Sequence, residues 1–157
     1  MRVSASVAAM GDDCIICRKH ADTGPLAGGV RIWAGERVAV YHKLLDGDGT
    51  TFLGYCFIET LRHVGSLDEL TDDEAVEAAR TRTALAAGLK ASLDVSNVFS
   101  AVAGRGVPHF HEHVFVRYTG TPDTYAWLDG DEWEGAGRGD LAAVESLATA
   151  LRSVLAR

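Results

Sequence analysis

Three histidines alternate with other residues at positions 109–113 (HFHEH), and an apolar run follows them at 114–116 (VFV). Successive side chains of a β-strand point to opposite faces, so we expect the three imidazoles to share one face. Neighbouring imidazoles can bind a metal ion or a multiply charged anion. A packed core has no need of three aligned imidazoles, and the pattern therefore predicts a functional site.

A second group of candidate ligands lies near the start of the chain, where Cys14 and Cys17 are separated by two residues. Two thiols at this spacing can bind one metal ion, because a tight turn aims both sulfurs at one point, and zinc is the ion that suits them. A redox-active pair would need a thioredoxin-like βαβ unit, which the following sequence does not suggest. The remaining alternative is that both cysteines pack as small hydrophobic residues.

The turn Gly104-Arg105-Gly106 immediately precedes the histidines. Glycines allow backbone NH groups to approach an anion closely, and the guanidinium of Arg105 adds a charge with bidentate geometry. The turn therefore suits a phosphate group, although a plain turn with an exposed arginine gives the same sequence.

The composition of the chain limits the possible functions. At 157 residues it is long enough for one domain, and its net charge of -7 opposes general binding to nucleic-acid polymers, which needs a basic face. The three cysteines, an odd number without a secretory leader, favour a reducing, cytoplasmic location. Residues 1–13 are expected to form a loose tail, and no apolar run approaches the roughly 20 residues of a membrane span.

Strands and helices must position these groups. We expect two β-strands at 30–34 and 36–42 that form a pair, a largely apolar and central strand at 52–59, and another at 97–103 before the histidine strand. The capping box of Thr71 and Glu74 predicts a helix to about residue 93, and Asp140 is expected to cap a final helix.

Each helix carries a predicted apolar stripe that we expect to be buried. The first stripe comprises Val76, Ala79, Ala86, Leu89 and Leu93, and the second comprises Leu141, Val144, Ala148, Leu151 and Leu155. An irregular segment, 119–139, connects the histidine strand to the final helix. Its length favours a lid or a partner surface. Its aromatic residues can stack on a base or fold the segment onto the body of the domain.

These residues together resemble the histidine triad (HIT) proteins over about residues 14–118. The resemblance rests on the HFHEHVF run at 109–115, the C-x-x-C at 14–17, the apolar strand 54–58 that leads to Arg62-His63-Val64, and the helix start at 66–74. It implies a single HIT-like α+β domain over 1–157, with an about five-stranded antiparallel sheet, a long helix, and a C-terminal loop and helix at 119–157. It also implies a homodimer whose sheets join across the interface.

The resemblance implies a nucleotidyl hydrolase or transferase. His111 would attack the α-phosphorus of a nucleotide and form a covalent His–NMP intermediate, which water then releases. Imidazole is a good neutral nucleophile, and phosphoryl transfer mainly requires donors around the developing charge. His113 is implied as such a donor. The further candidates for nucleotide binding are Arg105, Gly106, Val107, Tyr41, Lys43 and Ser100.

In zinc-containing relatives the ligands correspond here to Cys14, Cys17, His63 and His109. Two thiolates and two imidazoles complete a closed tetrahedral set, so the implied zinc ion would be structural and not catalytic. An alternative places all three histidines of the 109–113 run on one catalytic metal.

The sequence departs from the family pattern at several positions. Arg105 and Gly106 replace a common Gln and Ser, Lys43 falls where the family has its ribose-binding Asp, and Glu112 occupies a normally apolar position. Because an unpaired buried carboxylate is costly, Glu112 must reach solvent or a cationic partner. These changes keep open the alternative of a nucleotide-binding protein with little or no turnover. The substrate classes that we expect are dinucleoside polyphosphates and nucleoside phosphoramidates.

Overall fold

The computed structural model describes residues 13–157, and a five-stranded antiparallel sheet forms its centre. The spatial order of the strands is β1-β2-β4-β6-β5, and a separate two-stranded ribbon pairs β3 with β7. The strands are β1 (Arg31–Ala34), β2 (Val38–His42), β3 (Thr51–Phe52), β4 (Tyr55–Thr60), β5 (Val95–Ala101), β6 (His111–Tyr118) and β7 (Arg138–Gly139). The predicted α+β class and the about five-stranded antiparallel sheet are confirmed.

Among the residues that the structure describes, three α-helices accompany the strands, namely α1 (Ile15–His20), α2 (Asp72–Ser92) and α3 (Leu141–Leu155). Both predicted caps are present: Thr71 and Glu74 form the reciprocal capping box of α2, and the Asp140 side chain accepts a hydrogen bond from the NH of Ala143. Short 3-10 turns lie at Gly24–Leu26, Leu67–Glu69 and Gly130–Glu132.

The hydrophobic core lies between one face of the sheet and the helices α2 and α3. Alternate residues of the central strands enter it, because strand side chains alternate between faces. The sheet contributes Val38, Val40, Cys56, Ile58, Val114 and Val116, and the helices contribute Ala78, Leu85, Leu89, Leu147, Ala148, Leu151 and Leu155. The opposite face of the sheet carries His111 and His113.

The stripe of α2 differs from its prediction. The buried residues are Glu74, Ala78, Thr81, Leu85, Gly88 and Leu89, while Val76 is 48% exposed. Alanines occur on every side of this helix, so the apolar pattern does not decide which side is buried. The stripe of α3 is confirmed at four of its five positions, because Leu141, in its first turn, is exposed.

The single strand predicted at 52–59 is interrupted at Leu53-Gly54. Gly54 has φ +88°, and a Cβ there would lie 2.9 Å from Leu93 and 3.0 Å from Val116. Only glycine fits this close approach in the left-handed region. The interruption separates β3, which pairs with β7, from the central strand β4.

The irregular segment 119–139 is attached to the histidine face of the sheet by Arg117. Its guanidinium donates hydrogen bonds to the main-chain oxygens of Thr121, Pro122, Tyr125 and Ala126 at 2.8–3.5 Å. The indole of Trp127 then packs on the rings of Phe99 and Phe115, with centroids 5.6 and 5.8 Å away. The option in which the aromatic residues fold the segment onto the body is therefore the one observed for Trp127.

Within residues 13–157, no helix is both long and apolar enough to traverse a bilayer. The loose tail predicted for residues 1–13 falls almost wholly outside this range.

Candidate functional site

His111 and His113 lie on one face of β6, with ring centroids 5.1 Å apart. The face of β6 that carries these histidines is opposite to the core, because Val114, on the other face of the strand, is fully buried in the core. His109 precedes the strand, which begins at His111, so the expectation of three imidazoles on one strand face is wrong for His109. The triad therefore divides into a pair on the sheet and one buried ring beside it.

His111 opens onto a cleft of about 270 Å³. The cleft is lined by Ile15, Ile16, Lys19, Leu26, His42, Lys43, Leu44, Phe57, Glu59, Val107 and His111. Nδ1 of His111 lies 2.7 Å from the backbone oxygen of His109. A carbonyl can only accept, so Nδ1 must carry the proton and Nε2 keeps its lone pair. This is the form in which an imidazole is a nucleophile.

His113 has a different partner, the hydroxyl of Tyr55, which lies 2.9 Å from its Nδ1. Burial, together with the neighbouring His111, lowers the pKa of His113. The ring is therefore neutral near pH 7 and retains one N–H for donation.

The structure brings together the four predicted zinc ligands, which are Cys14, Cys17, His63 and His109. One ligand atom from each lies within 4.8 Å of the others. Nδ1 of His109 is 3.4 Å from both sulfurs, and Nδ1 of His63 is 3.5 Å from the Cys17 sulfur. Because His109 faces the cysteines, the geometry does not favour one metal held by all three triad histidines.

The donor set fits a zinc ion in its chemistry and in its outer contacts. Nε2 of His109 donates to the backbone oxygen of Thr60 at 2.8 Å, which leaves the lone pair on Nδ1, the atom that faces the sulfurs. Such a second contact orients metal-binding histidines. Burial lowers the pKa of His109 to about 4, and burial with the neighbouring Cys14 raises the pKa of Cys17 to about 11. The histidine is thus ready to bind, whereas the thiol needs the cation to lose its proton.

A buried ionic cluster forms the cleft wall beside His111. The carboxylate of Glu59 is 2.5 Å from Nζ of Lys19 and 2.9 Å from Nε2 of His20. Burial alone would raise the pKa of Glu59, but the hydrogen bond from His20 and the charge of Lys19 lower it overall. Glu59 pairs with His111 across β4 and β6, so the two side chains share one face. The cluster connects α1, which carries Cys17, to the strand beside His111.

The candidate nucleotide-binding residues are only partly brought together. Val107 and Lys43 line the cleft with His111, although the ammonium of Lys43 is held by Asp46 at 3.0 Å. Gly106 lines an adjoining cleft with Cys14 and His63, and Arg105 is exposed in the turn before it.

Two further candidates have different surroundings. Tyr41 is on the histidine face, buried against the ring of His20 at 5.6 Å and under the ammonium of Lys19 at 4.3 Å. Ser100 is the register partner of Val114, so it lies on the face opposite to His111 and His113. The structure does not bring Ser100 to the cleft, because the alternation along β5 points it toward α2.

Sequence reasoning missed α1 and three polar groups that the fold places near the histidines, namely Lys19, His20 and Tyr55. The polar, glycine-rich sequence of 18–29 predicts a loop with an exposed His20, but His20 ends α1 and packs against Tyr41 and His109. The available signal was Glu59, an acid inside an otherwise apolar strand, which requires a buried cationic partner. No comparable signal marks Tyr55.

The fold resembles several solved structures of histidine triad proteins. A zinc-bound histidine triad family protein from Mycobacterium smegmatis is 20% identical, with 93% of this chain and 95% of that chain covered and a TM-score of 0.64. A Hit-like protein involved in cell-cycle regulation from Bartonella henselae is 14% identical, with coverages of 92% and 97% and a TM-score of 0.66. A hypothetical histidine triad nucleotide-binding protein from Sulfolobus tokodaii is 19% identical, with coverages of 82% and 84% and a TM-score of 0.59.

No family model matches the sequence, and no curated protein matches it. The shared architecture therefore rests on structure, where 92–93% of this chain is covered with TM-scores of 0.64 and 0.66. On that evidence, the chain has the HIT-like fold of the histidine triad proteins.

Proposed function

We propose that the protein is a nucleotide hydrolase or transferase in which His111 attacks the α-phosphorus of a bound nucleotide. The observation that carries the proposal is the orientation of His111, whose Nδ1 donates to the His109 carbonyl so that its Nε2 lone pair is available at a cleft. The volume of the cleft, about 270 Å³, is near the lower end for small-molecule sites. The Sulfolobus tokodaii structure, described as nucleotide-binding, supports the ligand class.

The reaction would proceed in two steps. Nε2 of His111 forms a bond to phosphorus while the bond to the leaving group breaks, and the leaving group takes up a proton from solvent. Water then attacks the phosphorus of the His–NMP intermediate, the N–P bond breaks, the imidazole returns to its neutral form, and the proton lost by the water passes to solvent. His113 donates to a phosphate oxygen, on which negative charge is concentrated during transfer.

The zinc ion would be held by Cys14, Cys17, His63 and His109 in a structural role. It would join α1 to the turn that precedes β6, and His109 supplies from that turn the carbonyl that orients His111. The ligand set contains no open position, so no step of the reaction is assigned to the metal.

A nucleotide-binding protein with little or no turnover is the second candidate. It is favoured by Gly106, which lacks the hydroxyl that would assist a leaving group, and by Ser100, which faces away from the cleft. Lys43 is paired with Asp46 and would have to exchange partners to contact a phosphate.

A substrate panel distinguishes the two candidates. Diadenosine polyphosphates and an AMP phosphoramidate are incubated with the wild-type protein and with His111→Ala and His111→Asn. We expect the wild type to release AMP and the variants to lose activity by roughly 10³-fold or more. A rise in melting temperature with AMP, measured on all three proteins, verifies that the variants still fold and bind. Equal rates in wild type and variants would reject the covalent mechanism, and AMP binding without release from any substrate would select the second candidate.

We also propose a homodimer. Strand β5 forms one edge of the sheet, so its outer backbone groups can pair with a second copy. Light scattering coupled to size-exclusion chromatography measures the mass directly, and a mass corresponding to one chain of 16.7 kDa at working concentrations would contradict the proposal.

A further inference from the structure

His111 and His113 have different partners at the same ring atom. Nδ1 of His111 faces a carbonyl oxygen at 2.7 Å, whereas Nδ1 of His113 faces the Tyr55 hydroxyl at 2.9 Å. A carbonyl can only accept a hydrogen bond, but a hydroxyl can donate or accept. The first contact therefore fixes the tautomer of His111, and the direction of the second contact decides the tautomer of His113.

The chemistry of the two groups favours donation by Tyr55. A phenol is more acidic than a neutral imidazole N–H, and the unprotonated imidazole nitrogen is a stronger acceptor than a phenolic oxygen. Burial, with a smaller effect from the charge of Asp131, raises the pKa of Tyr55, and burial lowers the pKa of His113. Both groups are thus neutral near pH 7, and the pair is O–H···Nδ1.

The hydroxyl of Tyr55 is held in place by packing. Its ring lies 5.4 Å from that of Phe57 and 5.5 Å from that of Phe115, which are its neighbours on β4 and β6. Phe57 is the register partner of His113, and its ring lies 5.1 Å from the imidazole. Aromatic contacts on both sides therefore restrict the rotamers of Tyr55 and His113, so the hydrogen bond has a defined geometry.

We propose that Tyr55 is a positioning residue that fixes His113 as the Nε2–H tautomer, opposite to that of His111. The two rings, 5.1 Å apart, then present different atoms to one ligand: His111 a lone pair and His113 a hydrogen-bond donor. The tautomer assignment rests on the hydrogen-bond geometry and on the relative acidity of the two groups, but its use with a phosphate oxygen rests on the proposed function.

The consequence for reaction is specific. While Nε2 of His111 forms its bond to phosphorus, the N–H of His113 donates to a non-bridging oxygen and keeps its proton. If His113 instead carried its proton on Nδ1, its Nε2 lone pair would face the anionic oxygen and repel it. Tyr55 would thereby convert a neutral histidine into a donor without the cost of charging a half-buried ring.

Imidazole nitrogen NMR tests the proposal on the protein without nucleotide. Long-range ¹H–¹⁵N correlation spectra, recorded near neutral pH, distinguish the two neutral tautomers by their nitrogen shifts. We expect the Nδ1–H pattern for His111 and the Nε2–H pattern for His113. In Tyr55→Phe, the His113 pattern should shift toward a mixture of tautomers, while that of His111 stays unchanged.

Tyr118→Phe is the matched control, since it removes a hydroxyl that donates to the Leu53 carbonyl at 3.2 Å and touches neither histidine. Its spectrum should match that of the wild type at both rings. An Nδ1–H pattern at His113 in the wild type, or an unchanged His113 pattern in Tyr55→Phe with an intact fold, would overturn the assignment.

Kinetics then separate this inference from the proposed function. On any substrate that the wild type turns over, Tyr55→Phe should lower kcat roughly 10- to 100-fold with a small change in KM. If the tautomers are as expected and no substrate of the panel releases AMP, the proposed function fails while the positioning by Tyr55 stands. An unchanged kcat together with a changed tautomer would reject the donor role of His113.

Discussion

The position of Glu112 illustrates how one residue of the HFHEH run serves the fold and not the cleft. It alternates with His111 and His113, so it points to the core side, where it is 3% exposed. There Arg82 of α2 pairs with it at 2.7 Å. The requirement that Glu112 find a cationic partner is thereby met, and the ion pair joins α2 to β6 directly behind the histidines.

Removal of Arg82 should therefore destabilise the protein. Arg82→Ala leaves the Glu112 carboxylate buried without a partner, and we expect a loss of about 1–3 kcal/mol in the free energy of unfolding, less than for a fully buried pair because Arg82 is partly exposed. Urea denaturation near pH 7 measures this loss.

Two variants serve as controls for that measurement. Arg80→Ala changes an exposed arginine of the same helix and should change the free energy of unfolding by less than about 0.5 kcal/mol. The double variant Arg82→Ala/Glu112→Gln should recover part of the loss. Equal stability of Arg82→Ala and Arg80→Ala would show that the ion pair contributes nothing.

At the scale of elements, the start of α2 is held by more than its capping box. Glu74 accepts from the backbone NH of Thr71 at 2.8 Å and forms a bidentate pair with Arg62 at 2.7 and 2.9 Å. Since Arg62 follows β4 and precedes His63, the helix start is joined to the segment that carries one member of the Cys/His cluster. The hydrogen bonds from Arg62, with those from Thr71, lower the pKa of Glu74 to about 2.

This low pKa predicts the acid sensitivity of the helix start. A carboxyl whose pKa is lowered in the folded state stabilises that state fully when the pH is above the pKa of the unfolded chain, here about 4.5. The stabilisation is lost as the pH falls toward the pKa of the folded state, about 2. Glu74→Gln should lower the free energy of unfolding by about 1–3 kcal/mol near pH 7 and flatten its decrease between those two pH values.

Asp72→Asn is the matched control, because it removes an acid from the same first turn without breaking the capping box. Its effect should be limited to the interaction with the helix dipole, about 0.3–1 kcal/mol. Parallel pH profiles of unfolding for Glu74→Gln and the wild type would contradict the assignment of acid sensitivity to Glu74.

The elements differ in how well the sequence predicted them, and the reason is the range of the interactions involved. The capped helices and the central strand carry local signals, so their presence followed from the sequence. Helix α1 has only six residues and no side-chain cap at Cys14. The burial of Lys19 against Glu59 depends on contact across 40 residues, and that of Tyr55 with His113 on contact across 58. Such pairings can be predicted only once the sheet register is known.

At the scale of the whole molecule, the Cys/His cluster connects distant parts of the chain. Cys14 and His109 are 95 residues apart in sequence, and their ligand atoms are in contact. A metal that joins such positions restricts the unfolded chain, and its binding free energy adds to folding. The resemblance to histidine triad proteins predicts all four residues of the Cys/His cluster, whereas the spacing of the cysteines alone predicts only two ligands.

Removal of the metal should therefore lower the stability of the wild-type protein but not that of a variant that lacks a cysteine of the cluster. We expect about one zinc per chain in the purified protein, and a chelator should lower its melting temperature by roughly 10 °C or more. Cys14→Ala should lose the metal and show no further decrease on chelation.

Cys56→Ala provides the comparison, because Cys56 lies buried in the core and outside the cluster. It should lose some stability from the smaller side chain but retain its zinc, as measured by elemental analysis. Full zinc content in Cys14→Ala would contradict the ligand assignment.

The attachment of segment 119–139 has a consequence for how this protein can change over generations. Arg117 contacts only main-chain oxygens of residues 121–126, so the attachment does not depend on which side chains those residues carry. Mutations at residues 121–126 can therefore accumulate without loss of these hydrogen bonds, while Trp127 and the pairing of β7 with β3 hold the rest of the segment. Sequence change in this stretch is thus separated from β6, the strand that carries both Arg117 and the pair His111 and His113.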